Sequence, residues 1–164
     1  MKKSTVSFHI RDAKTSDMER VHELVCELAT FERAPNEVKT TPQVFQDDFA
    51  KGRFSCFVAQ EEENNTVIGF ALYFPRYSTW KGHCIYLEDL VVEEAFRGQG
   101  IGSALINAVA AKAKEQDAAR MQWQCLDWNA RALTFYREKL GAHTTSEWID
   151  CKLTRDQLLK KKSE

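Results

Sequence analysis

Long hydrophobic runs are missing from this 164-residue chain. No apolar stretch approaches the ~20 residues that span a bilayer, which excludes a helical membrane protein and sets the expectation of a soluble, cytoplasmic one. Met1-Lys2-Lys3-Ser4-Thr5 runs into alternating Val6, Phe8 and Ile10 rather than the continuous apolar core of a signal peptide. Glycine and proline are scarce, at 7 and 3 residues, which excludes collagen-like and low-complexity classes. Neither sign of charge is in excess: 23 basic against 24 acidic residues leave −1, so nothing draws the whole molecule to nucleic acid or an anionic membrane. Cys26, Cys56, Cys84, Cys125 and Cys151 form no Cys-x-x-Cys pair, and His9, His22, His83 and His143 form no chelating pair. Reduced, packed thiols and no metal are therefore expected. What is present, 43% hydrophobic and 29% charged residues, suits one folded domain over residues 1–164.

Val6, Phe8 and Ile10 alternate as on a half-buried strand, and Thr15 or Ser16 can cap a helix with Met18, Val21, Leu24, Val25 and Leu28 on one face. A loop over 31–39 precedes a second helix start at Thr41-Pro42. The apolar runs 54–59 and 67–74 flank polar Glu61 to Asn65 and predict an antiparallel hairpin. A long strand follows over 84–92, then a helix with Ile101, Ala104, Leu105, Ala108 and Lys112 at helical spacing. A strand over 121–126, a helix from Asn129 to Gly141, and a last strand over 147–153 complete the pattern. Thr154 and Gln157 form a capping box for a short terminal helix ending in solvated Lys160-Lys161-Lys162. The order implies an α/β (mixed α+β) fold: one central mixed sheet flanked by helices.

Three glycines cluster in Arg97-Gly98-Gln99-Gly100-Ile101-Gly102-Ser103, between an apolar strand and an amphipathic helix. Such a turn can aim backbone N–H groups at an anion, and the helix start adds about half a positive charge. A diphosphate fits; so does a turn whose glycines serve only tight packing. A nucleotide-triphosphatase loop would need Lys before Ser103, and a dinucleotide fingerprint needs Gly-x-Gly-x-x-Gly after the first strand, so both fail.

The segment Arg97 to Gly102 resembles the pyrophosphate loop of the GNAT N-acetyltransferases. Tyr77-Ser78-Thr79-Trp80-Lys81-Gly82, Tyr86-Leu87-Glu88-Asp89 and Leu126-Asp127-Trp128-Asn129-Ala130-Arg131-Ala132 extend the likeness to the diamine (spermidine/spermine) acetyltransferase family over nearly the whole chain. Phe31-Glu32 and Ser78-Thr79-Trp80 resemble the thialysine N-ε-acetyltransferase branch, where polyamine enzymes carry Tyr-Glu and Asp-Pro-Trp. Losing that carboxylate weakens the attraction for a polycation. The resemblance implies acetyl-CoA as cosubstrate, a small-molecule primary amine as acceptor, direct transfer in a ternary complex, and a homodimer. A protein lysine or N-terminal acetyltransferase, or a non-catalytic acyl-CoA-binding module, would share the cofactor loop.

An amine near pKa 10.4 is protonated at neutral pH, so the site must remove a proton, and a carboxylate suits that task. Glu88 and Asp89 adjoin in an apolar strand, where alternation sends them to opposite faces. Each could be a strand-end acid at the surface; the resemblance gives Glu88 the amine's proton, through water, and leaves Asp89 structural or secondary. Tyr136 lies two turns beyond Asn129 and could pack in a core, but by resemblance its hydroxyl faces the departing thiolate. A covalent route through Cys125 lacks a neighbouring His. The resemblance also assigns Leu90, Val91 and Val92 to the pantetheine arm, Arg97 to Ser103 to the pyrophosphate, and Asn129, Ala130, Arg131, Ala132 and Tyr136 to the same cofactor. It places Phe31, Glu32, Trp80, Glu88, Gln122, Trp123, Gln124 and Glu147 on the amine side, though Glu147-Trp148 lacks the family's intervening glycine.

Overall fold

The computed structural model describes residues 5–161; the Met1–Ser4 lead and Lys162 of the lysine run lie outside them. The chain divides into two compact units, Met1–Gln124 and Cys125–Glu164.

The first unit is built on a five-stranded sheet in the order β1-β2-β3-β4-β5. Strands β1 (Phe8–Asp12), β2 (Ser55–Glu61), β3 (Val67–Ser78) and β4 (Gly82–Val92) pair antiparallel, and β5 (Met121–Gln122) joins β4 in parallel. Helix α1 (Met18–Phe31) starts later than the Thr15 cap predicts. Arg11 grips Asp17 with two bonds of 2.7 and 2.9 Å, and Asp17 also accepts the Lys14 N–H at 2.6 Å. These bonds tighten Thr15–Asp17 into a 3-10 turn before the α-helix begins. Helix α2 (Pro42–Ala50) starts as its sequence predicts, with Thr41 Oγ1 accepting the Val44 N–H at 3.3 Å.

One face of the sheet is covered by α1, whose Met18, Val21 and Leu24 pack in one cluster with Val58, Phe70, Leu72 and Val91. Each such side chain contributes roughly 1.5–3 kcal/mol through apolar burial. Helix α3 (Ile101–Glu115) covers the other face, burying Ile101, Leu105, Ile106, Val109 and Ala113, a seam rotated from the predicted Ala104, Ala108 and Lys112. Gly69 sets that approach: a Cβ there would lie 2.7 Å from the Val91 carbonyl oxygen and 3.3 Å from Leu105. The predicted strand over 121–126 shrinks to Met121–Gln122, because only Ile85 and Tyr86 of β4 pair with it. All five cysteines are free, yet packing holds for Cys56 and Cys84 only; Cys26 and Cys151 are exposed.

In the second unit, Asn129 caps α4 (Ala130–Thr134) by accepting the Ala132 N–H at 3.2 Å. A π-helical turn, Phe135–Lys139, continues it, and Gly141 ends the segment at φ +67° as predicted. The Thr154–Gln157 capping box forms and opens α5 (Arg155–Lys160). The predicted strand over 147–153 is irregular chain, with Trp148 and Ile149 80% and 89% exposed. Its β-prone composition is not sufficient where no strand among the described residues pairs with it.

Candidate active site

Strand β4 carries the two halves of the site. Leu72 pairs with Asp89 and Tyr73 with Leu87, so Glu88 has no partner on β3 and stands as a bulge. Simple alternation would place Glu88 with Tyr86 on the α1 face and Asp89 on the α3 face. The extra residue returns Asp89 to the face of Leu72, and the expectation that the two acids part is corrected: both line one cleft.

That cleft has a volume of about 520 Å³. Val25 and Ala29 of α1, Phe45 of α2, Phe54 and Leu72 provide its apolar lining, and Glu32, Glu37, Lys39 and Thr40 of the α1–α2 connection its polar lip. Three carboxyls, Glu32, Glu88 and Asp89, interact across it. Burial, reinforced by the negative Glu88 and Glu32, pushes the Asp89 carboxyl up to about 7, and desolvation also raises Glu32. An acidic, partly apolar cleft favours a cationic alkylamine and can take up a proton near neutrality. Asp89 is the member the sequence reading set aside; two adjacent acids in an otherwise apolar strand were the available signal, since a bulge lets both face one cavity.

The glycine turn follows β4 after a short 3-10 turn, Glu94–Phe96. Gly98 and Gly100 adopt φ +82° and +86°, where L-residues are strained, and space is open at both Cβ positions. Gly100 caps α3, whose first ladder bond is Ala104 N–H to Gly100 O, so the N–H groups of Ile101, Gly102 and Ser103 precede the ladder. Flanking side chains serve the scaffold. Arg97 Nε donates to the Val92 carbonyl at 2.9 Å and its guanidinium lies 5.7 Å from the Phe31 ring centre, while Gln99 Oε1 accepts the Val6 N–H at 2.8 Å. The turn therefore offers backbone donors and a helix N-terminus, a cradle suited to a diphosphate.

Beyond Tyr86, Leu87 to Val92 have no pairing with β5 among the described residues. The backbone of Leu90, Val91 and Val92 thus borders the turn on a strand that β5 has left. Gln122 ends β5 with its Oε1 buried and without a hydrogen-bond partner. Trp123 and Gln124 follow outside the strand. Trp80, expected either to wall the amine pocket or to pack in the core, does not pack in the core: it is 84% exposed at the β3–β4 turn, where Gly82 takes φ +89°. In the second unit Asn129 is the α4 cap, Ala130, Arg131 and Ala132 form its first turn, Tyr136 is half-buried in the π-helical turn, and Glu147 is exposed.

The model of the Acetyltransferase (GNAT) family matches residues 18–142. Thialysine N-epsilon-acetyltransferase of Bos taurus is 39% identical over 146 residues, covering 84% of this chain and 85% of the relative. The L-ornithine N5-acetyltransferase NATA1 of Arabidopsis thaliana is 37% identical over 103 residues, 62% of this chain and 45% of that protein. Among solved structures, an aminoglycoside acetyltransferase from an uncultured soil metagenomic sample superposes with a TM-score of 0.74 at 22% identity, covering 90% of this chain and 97% of that one, a likeness of fold.

Proposed function

Since the chain belongs to the Acetyltransferase (GNAT) family and is an N-acetyltransferase, we propose that it transfers acetyl from acetyl-CoA to the terminal amine of a small lysine-like amino acid such as thialysine, with diamines as weaker acceptors. The observation that carries this reading is the pairing of an acidic cleft on β4 with a glycine turn, shortly after that strand, whose geometry suits an anion. Names of relatives support it: two act, by name, on thialysine and ornithine, amino acids that end in an amine.

The glycine turn Gly98 to Ser103 holds the diphosphate through backbone N–H groups, and the Leu90 to Val92 stretch of β4, beyond its pairing with β5, takes the pantetheine arm. The acceptor enters the cleft as an ammonium drawn by Glu32, Glu88 and Asp89. Glu88 receives its proton, through water, so that the nitrogen lone pair can attack the thioester carbonyl; Asp89, poised near neutrality, keeps the cleft's charge responsive to what occupies it. The N–C bond forms as the C–S bond breaks, and the Tyr136 hydroxyl serves the departing thiolate. Asn129 to Ala132, Gln122 to Gln124 and Glu147 keep the cofactor-side and amine-side roles that the resemblance gives them, as do a cytoplasmic homodimer and one domain over residues 1–164. The family match runs across the division between the two units and supports the single domain.

The test is thiol release from acetyl-CoA with thialysine, lysine, putrescine, spermidine, spermine and lysine peptides. Thialysine and lysine are expected to lead by kcat/KM. Peptides far ahead of every free amine would assign a protein acetyltransferase, and tight acetyl-CoA binding with no product would assign a non-catalytic binding module.

A further inference from the structure

The cleft holds one cation among its acids. Lys39 lines it from the α1–α2 connection, together with Glu88 and Asp89 of β4 and with Glu32 and Glu37 of the same connection. Arg20, Arg53 and Lys112 each take a carboxylate partner within 3.0 Å. Among the described residues no ion pair or hydrogen bond engages the Lys39 ammonium, although acids line the same cleft. Its backbone is held in place: the next residue, Thr40, accepts a hydrogen bond from His22 Nε2 at 2.9 Å through its carbonyl, and His22 is buried in α1 with its ring edge-on to Phe45. An anchored loop thus places an exposed lysine in the lining of a cleft that is otherwise acidic and apolar.

An acceptor that carries only ammonium groups meets attraction at β4 and repulsion at Lys39. A molecule with an amine at one end and a carboxylate at the other matches both. We propose that Lys39 binds the carboxylate of the acceptor and thereby selects amino acids with a terminal amine over carboxyl-free diamines. This assignment rests on the acetyl-acceptor reading of the cleft and adds to it the residue that sets acceptor class. Oriented this way, the terminal amine is directed toward Glu88 and Asp89.

The experiment uses the full chain with acetyl-CoA and three acceptors: thialysine, thialysine α-carboxamide, which lacks only the carboxylate charge, and putrescine. Wild type is expected to favour the free acid over the carboxamide by about ten- to a hundredfold in kcat/KM, as for a charge-assisted hydrogen bond. Lys39→Gln should erase that preference and improve putrescine by removing a repulsive charge, whereas Lys39→Arg should keep the preference. Survival of the acid-over-amide preference in Lys39→Gln, or its absence from a wild-type protein that acetylates all three, overturns the assignment while leaving the acetyltransferase reading intact. A wild-type protein that acetylates none of the three overturns the acceptor reading, and the Lys39 assignment falls with it.

Discussion

The bulge lies on β4 and the glycine turn a few residues past its end, and they pose opposite electrostatic problems. At Glu88 and Asp89 the backbone is displaced so that both side chains line one cleft, and burial pushes the Asp89 carboxyl up to about 7. At Gly98 and Gly100 the absence of side chains leaves backbone exposed in a turn suited to an anion, and Arg97 and Gln99 bond to the scaffold. The cleft depends on titratable groups and must respond to pH; the turn depends on peptide dipoles, which carry no proton to lose. If the proposed donor and acceptor bind at these two places, acceptor binding can be tuned by pH without disturbing donor binding.

The strongest way to break that separation is Glu88→Gln. Its kcat at neutral pH should fall by roughly 10²–10⁴, recover in part at alkaline pH where more amine is neutral, and leave acetyl-CoA affinity unchanged. A pH-independent defect in a folded variant would make Glu88 structural. Gly100→Glu is the reciprocal test: a carboxylate on a residue at φ +86° both strains the turn and repels a diphosphate. Calorimetry should show acetyl-CoA affinity lowered by about a hundredfold or more, and unchanged binding would remove the anion cradle. The smallest effect is expected from Asp89→Asn. A carboxyl raised from 3.8 to about 7 by folding favours the folded state fully below 3.8, and that advantage is lost as pH rises to about 7. The asparagine variant should therefore melt a few degrees above wild type at pH 8 and nearly level with it at pH 4. Equal differences at both pH values would show that the cleft does not hold Asp89 neutral.

The two regions also differ in how far the sequence discloses them. A turn that needs left-handed backbone must spell glycine locally, and Arg97 to Gly102 could be read directly as an anion-binding candidate. The cleft is assembled from α1, the connection after it, β3 and β4, and hinges on a slip in pairing that no glycine or proline marks, so alternation sent Asp89 to the wrong face. Helix starts at Thr41 and Thr154 were legible because capping is local. The strands expected over 121–126 and 147–153 were not, since a strand exists only where a partner edge runs beside it, and β4 stays with β5 only to Tyr86. Trp80 shows the same limit: the motif around it resembles the family's, but only the structure puts it at an exposed turn.

Delete Glu88 as a whole residue and Leu87 would follow Tyr73's register while Asp89 followed Leu72's, giving an unbroken ladder with every other side chain on the face it already occupies. The sheet would be more regular without it. Glu88 is supernumerary to the β3–β4 ladder, so a change of one codon rather than one base, the loss of three nucleotides, would remove one charge from the cleft and make the pairing continuous in the same event.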